Sequence, residues 1–142
     1  MDHIDEAILS CLHRNARMSA SRISEEVNLS VSSVLERIRR MEKSGIILRY
    51  TTVVDYTQIG QAISFVMGVS MEKSRDHEGF KAAIIEEPAV QRCDYVTGPY
   101  DYLLWLSVTS HNQLKELHQQ ISTMQGVANV SSFLVLDTIK GS

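Results

Sequence analysis

No stretch of this sequence runs for the ~18 uncharged apolar residues that a membrane-spanning helix needs, and its first residues lack the basic-then-apolar pattern of a secretion signal. Both absences predict a cytoplasmic protein. Cysteine is scarce. Cys11 and Cys93 stand far apart and belong to no Cys-x-x-Cys or Cys/His spacing, which argues against a disulfide framework or a zinc site and leaves both expected as small buried hydrophobes. The five histidines (His3, His13, His77, His111 and His118) show no ligand spacing, so no metal is expected. Ser, His and Asp all occur, but no serine sits in a nucleophile elbow, so catalysis is not indicated and no cofactor is implied.

An overall positive charge is also missing. The formal net charge is −3, which argues against indiscriminate binding to nucleic acid. The deficit is local: Met1–Asp55 balances eight Lys/Arg against eight Asp/Glu, whereas the remainder holds six basic and nine acidic residues. Within the first part, Glu36–Arg49 carries five basic residues and two acidic ones. Positive charge is thus gathered where a DNA groove would need it.

What is present begins with Asp2, which can cap a first helix whose Asp5 and Glu6 suit the positive end of the dipole. Ile4, Ile8 and Leu12, with Ala7 and Cys11 beside them, make one core-seeking face. Ser19 can cap a second helix with Ala20, Ile23 and Val27 in a stripe. Asn28 stands where the chain must turn sharply and is among the few residues that tolerate positive φ. Leu29 is expected to plug the angle, Ser30 to cap a third helix, and Gly45 to stop it. Val34, Leu35, Ile38 and Met41 are spaced to face inward, which leaves Ser32, Ser33, Glu36, Arg37 and Arg40 outward. A solvated helix with a Glu36–Arg40 pair at i,i+4 would present the same residues. The short helix and tight turn before it, with the hairpin-like Ile46–Val54 after it, favour a helix-turn-helix that lays its third helix in the major groove. Ser32, Ser33 and Arg37 are then expected near base edges, Arg39, Arg40, Lys43 and Arg49 on phosphates, and the capping Ser30 within the same DNA-binding set.

The run from Ile8 to Asp55 resembles the winged helix-turn-helix of the Lrp/AsnC (leucine-responsive, or feast/famine) regulators, with Arg37, Arg40, Glu42, Gly45, Ile47 and Tyr50 in the family's places. Asn28 replaces the usual Gly and Met41 the usual Leu; neither threatens the fold.

After a linker at 56–60 punctuated by Gly60, the period changes from helical to two. Ile63, Phe65, Met67, Val69 and Met71 alternate with a second set, which predicts a strand covered mainly on one face. A helix over 77–87 ends at Pro88. Strands over 90–97 and 100–109 flank Gly98-Pro99 as a hairpin, a helix bears Leu114, Leu117, Ile121 and Met124, and a last strand covers 127–139. The chain is therefore expected to be α+β: a winged helix-turn-helix over 1–55, then a ferredoxin-like βαββαβ domain over 61–142. Helices on one sheet face leave the other in need of a partner, so a homodimer is expected.

This second part resembles the ligand-sensing domain of Lrp/AsnC proteins at Val96-Thr97-Gly98-x-Tyr100-Asp101-Tyr102, Gly126-Val127 and Leu136-x-x-x-Lys140. The resemblance implies dimers assembled to octamers, with a small effector, commonly an amino acid, held where dimers meet. For such a zwitterion Gly98 would allow close backbone approach beside Thr97, Asp101 would pair the ammonium and Tyr100 would form a wall. Ser132 falls where relatives often carry a Thr near the effector. Pro99 departs from the family by lacking an N–H. A plain hairpin turn would also explain Gly98, Pro99 and Asp101.

The expected function is a sequence-specific, DNA-binding transcription regulator responding to an amino-acid-like effector. Its partner is double-stranded DNA with an approximately palindromic operator, and its place is the cytoplasm, in association with the nucleoid. Two alternatives share the architecture. Siroheme decarboxylases resemble it, but the His they tend to show before the hairpin is missing from Arg92-Cys93-Asp94-Tyr95. A nucleoid-architectural protein would bind broadly instead.

Overall fold

The computed structural model describes residues 1–56, 58–60, 63–73 and 77–141. It divides into two units, Met1–Val53 and Val54–Ser142, and each is built by its own periodicity.

The first unit is three helices: α1 (His3–Arg14), α2 (Ala20–Val27) and α3 (Val31–Lys43). Each starts at a polar cap. Asp2 accepts from the Asp5 N–H and Asp5 reaches back to the Asp2 N–H, a reciprocal capping box. Ser19 accepts from Arg22 N–H and Ser30 from Ser33 N–H. Between α2 and α3, Asn28 is left-handed (φ 55°, ψ 45°), as its place in the turn requires. Ile8, Cys11, Ile23, Val34 and Met41 are buried together, and Leu29 packs at their margin. Each such side chain removed from water contributes about 1.5–3 kcal/mol.

Two expectations fail here. Leu35 is only half-buried and lies outside this core, because it is about a quarter turn round the helix from Val34. Ile46–Val54 forms no hairpin: no strand is present there among the described residues. Leu48, Tyr50 and Val53 are exposed, so among the described residues of this unit no apolar strand face is covered at that place.

The second unit holds β1 (Ile63–Met71), α4 (Glu78–Glu86), β2 (Val90–Tyr95), β3 (Tyr102–Val108), α5 (His111–Ser122) and β4 (Val127–Leu134). The sheet order is β2-β3-β1-β4, antiparallel throughout, which is the expected βαββαβ topology. Phe65, Met67 and Val69 pack with Tyr102, Leu104 and Leu106 against Phe80 and Ile84 of α4 and Leu117 and Ile121 of α5. The last strand is shorter than expected. Its ladder with β1 ends at the Phe65–Leu134 pair, and Leu136 and Ile139 beyond it are exposed. Cys93 is also exposed rather than buried, since β2 is an edge strand.

The register assigns the other sheet face. Val66 stands opposite Trp105 and Phe133, and Gly68 opposite Leu103 and Ser131. Arg92 covers part of this face with its guanidinium 4.8 Å from the Trp105 ring centroid. Both helices of this unit, α4 and α5, pack on the opposite face.

Candidate functional site

The third helix carries the candidate nucleic-acid interface. Val34, Ile38 and Met41 turn inward, so the 3.6-residue period puts Ser32, Glu36, Arg39 and Lys43 on the opposite side. All four are exposed, as are Arg40 at the flank and Arg49 beyond the helix. At the N-terminus the Ser30 hydroxyl meets Ser32 Oγ at 3.1 Å and donates to Ser33 Oγ at 2.9 Å, while its oxygen accepts from Ser33 N–H at 3.2 Å. Three hydroxyls thus gather where the helix dipole is positive. The C-terminal end carries Arg40 and Lys43 in its last turn. A ready acceptor of phosphate oxygens at both ends of one exposed face is what groove insertion demands.

Arg37 has different partners from those its sequence position suggested. It lies three residues after Val34 and four before Met41, at the edge of the inward face. Its Nη1 donates to both Asp2 carboxylate oxygens (2.9 and 2.7 Å) and to Asp5 Oδ1 (3.0 Å). Hydrogen bonding to this guanidinium, joined by the Asp5 N–H, lowers the Asp2 pKa to about 2. Sequence reasoning missed Asp2 and Asp5 as part of this surface. The signal available was spacing: Arg37 shares a helical face with Val34 and Met41.

In the second unit the 96–101 hairpin loop is stapled to β1. Asp101 N–H donates to Val69 O and Val96 N–H to Asp101 O, both at 2.8 Å. Asp101 Oδ2 accepts from Met71 N–H at 2.6 Å, and Ser70 Oγ donates to Pro99 O at 3.1 Å. Thr97 and Gly98 stand exposed at the tip, Gly98 with φ 118°. Tyr100 lies across Gly68, where a Cβ would stand 2.7 Å from the ring, and its ring meets Phe133 edge-on at 6.4 Å.

Ser132 is not brought to this group within the chain. It pairs with Met67, a core-facing residue, and its hydroxyl meets His118 Nδ1 of α5 at 3.2 Å. It therefore belongs to the helix-covered face and Tyr100 to the bare one. Among the described residues no group of His, Cys, Asp and Glu is placed to hold a metal ion, and no helix is long and apolar enough to cross a membrane.

With this geometry in place, the comparisons decide the family. Residues 64–142 match the model of the Lrp/AsnC ligand binding domain, and residues 1–47 that of a winged helix-turn-helix DNA-binding domain. The chain belongs to the Lrp/AsnC family. As an Lrp/AsnC regulator it is 33% identical to an uncharacterised HTH-type transcriptional regulator of Sinorhizobium fredii, over 82% of this chain and 94% of that one. It is 28% identical to the leucine-responsive regulatory protein of Escherichia coli, over 100% of this chain and 88% of that one. Among solved structures, a transcriptional regulator of Neisseria meningitidis in complex with L-Met superposes with a TM-score of 0.93 at 30% identity, covering 100% of this chain and 94% of that one. These relatives are transcriptional regulators, and the chain is a DNA-binding protein of that kind.

Proposed function

We propose that this Lrp/AsnC regulator binds specific DNA sites through α3 and adjusts that binding to a small amino-acid-like effector, without catalysing a reaction. The observation that carries the reading is the exposed face of α3, with Ser30, Ser32 and Ser33 at its positive end and Arg39, Arg40 and Lys43 along it. The serines would approach base edges, while Arg39, Arg40, Lys43 and Arg49 would anchor phosphates.

A homodimer formed through the bare sheet face would present two copies of α3, and such a pair reads an approximately palindromic operator. Trp105 and the half-exposed Phe133 supply the apolar centre for that contact. Further assembly, to an octamer, would bring the 97–101 loop of one copy near residues of another. The effector is proposed to lie there, with Thr97 and Gly98 toward its carboxylate, the uncommitted Asp101 oxygen toward its ammonium and Tyr100 along its side chain. Ser132 would join this site only from another copy, because its own Tyr100 is on the opposite sheet face. That a Neisseria meningitidis relative was solved with L-Met supports an amino acid as the ligand class.

Calorimetric titration with the twenty amino acids tests the effector. Saturable heat from one or a few of them is expected, reduced at least tenfold in affinity by Asp101→Ala through loss of the charge-assisted bond, at about 1.4 kcal/mol per tenfold. Equal binding by that variant would remove Asp101 from the site. A mobility-shift assay on DNA upstream of the protein's own gene tests the interface, and a variant carrying both Arg39→Ala and Arg40→Ala that shifts it undiminished would sink the assignment of α3.

A further inference from the structure

We propose that Arg37 is a positioning residue, which pins the DNA-reading helix to the capping box of α1, and that the acidic residues Asp2 and Asp5 are therefore part of the DNA-binding machinery. This rests on the reading of α3 as the groove helix.

The argument begins with what the apolar core leaves undetermined. Val34, Ile38 and Met41 hold α3 onto Ile8 and Cys11. Such contacts resist separation, but they are non-directional and say little about roll or slide along the seam. Base reading is intolerant of such displacement, because donor and acceptor must meet within hydrogen-bond geometry. A directional polar contact at the seam's edge supplies what is missing.

Arg37 makes such a contact. Its Nη1 is shared by three carboxylate oxygens at 2.7–3.0 Å, and its side chain is only 21% exposed. The carboxylates are also held by bonds that do not involve Arg37. Asp2 Oδ1 accepts from Asp5 N–H at 2.8 Å, and Asp5 Oδ2 from Asp2 N–H at 3.4 Å, so the cap of α1 orients both carboxylates of the cradle. The Asp5 side chain is 12% exposed, which limits its alternatives. Two anionic groups face this one cation. A guanidinium already matched by two carboxylates has little attraction left for a phosphate. Arg39 and Arg40, by contrast, are exposed and their side chains make no hydrogen bond or ion pair among the described residues, so they stay available.

The consequence is a sign that electrostatics alone does not give. Near DNA, removing a carboxylate raises the local potential and strengthens binding. If Asp2 and Asp5 seat the recognition helix, removing them weakens specific binding instead.

The test uses the full chain and a duplex selected from random sequence by the wild-type protein, with an unrelated duplex as control, titrated over a range of salt. Wild type, Arg37→Gln, Asp2→Asn and the double variant are compared, and the same four are melted without DNA. Arg37→Gln and Asp2→Asn are each expected to weaken binding to the selected duplex by about tenfold, the scale of losing one base-pair contact. The double variant should lose little more than either alone. Binding to the unrelated duplex and the slope of log affinity against log salt should stay as in wild type, whereas loss of a phosphate contact lowers that slope by about 0.9. The melting temperatures should show the same coupling between positions 2 and 37.

Three results overturn the proposal. A salt slope reduced in Arg37→Gln makes Arg37 a phosphate contact. A changed base preference at one operator position makes it a base reader. Tighter binding by Asp2→Asn makes the acids mere opponents of DNA. Failure to select any duplex would defeat the DNA reading itself, and is told apart because the coupling in the DNA-free melts would persist.

Discussion

Asp2 and Arg37 show how one pair can carry both a stability and a pH statement. The Asp2 carboxyl titrates at about 2 instead of its ordinary 3.8, chiefly through the Arg37 hydrogen bond. A lowered carboxylate pKa favours the folded state above the ordinary value, and that contribution is lost as pH falls through the folded one. The pair is therefore fully formed at neutral pH and dissolves between about pH 4 and pH 2. In Arg37→Gln the Asp2 carboxyl is expected to return toward the ordinary range, read from its carbon chemical shift against pH. An unmoved titration would mean that the capping N–H groups alone hold it. Gly68 offers a second residue-scale test. A Cβ there would meet three Tyr100 ring atoms at 2.7–2.8 Å, so Gly68→Ala must push the ring off the sheet. A loss of about 1–3 kcal/mol is expected, as for other overpacked sites, measured by denaturant unfolding. Adding Tyr100→Ala should make the Gly68→Ala change nearly neutral, and a fully additive double variant would refute the contact.

At the scale of the element, local chemistry explains most boundaries. Asp2, Ser19 and Ser30 each accept an N–H of the helix they precede, and these caps were legible because a cap and its partner lie within one turn of chain; Ser110 caps α5 in the same way. Asn28 belongs to the same class. Asn28→Gly should leave stability unchanged or slightly higher, while Asn28→Ala should cost about 1 kcal/mol, because a Cβ without a compensating polar group crowds the left-handed turn. Thermal unfolding checks both, and equal stability of the two would mean that the turn can relax. Ser30→Ala should cost about 1 kcal/mol in the same assay. Other boundaries were less legible. Ile46–Val54 has the apolar content of a hairpin, but Ile46, Leu48, Tyr50, Val53 and Val54 are exposed and no strand forms there among the described residues. The last strand stops at Leu134, where its ladder with β1 ends at Phe65 although β1 itself runs on to Ile63.

For the whole molecule the important asymmetry is a four-stranded sheet with both helices on one side. The bare side carries Val66, Trp105, Phe133 and the Tyr100 ring, an apolar surface that a second copy would cover. Phe133→Asp is expected to halve the particle mass seen by light scattering at micromolar concentration, through burial of an unpaired charge at the contact. An unchanged mass would place the interface elsewhere. Ser132 sharpens the same point. A one-residue step along β4 separates it from Ser131 on the bare face, so a site that uses both Tyr100 and Ser132 must be built from more than one chain.

The sequence by itself determined the family, the two-part organisation, the βαββαβ order, the caps and the exposed basic face of α3. Each depends on periodicity or on contacts within a few residues, which the chain carries with it however it is packed. Only the tertiary structure decided that Arg37 faces Asp2 and Asp5, 35 and 32 positions away, that Tyr100 rests on Gly68, and that Ser132 looks toward His118. Such partners depend on how α1 and α3 settle against each other and on the register of β1 with its two neighbours. A basic residue beside an apolar seam therefore reads the same in sequence whether it meets DNA or a pair of carboxylates, and packing chooses between them.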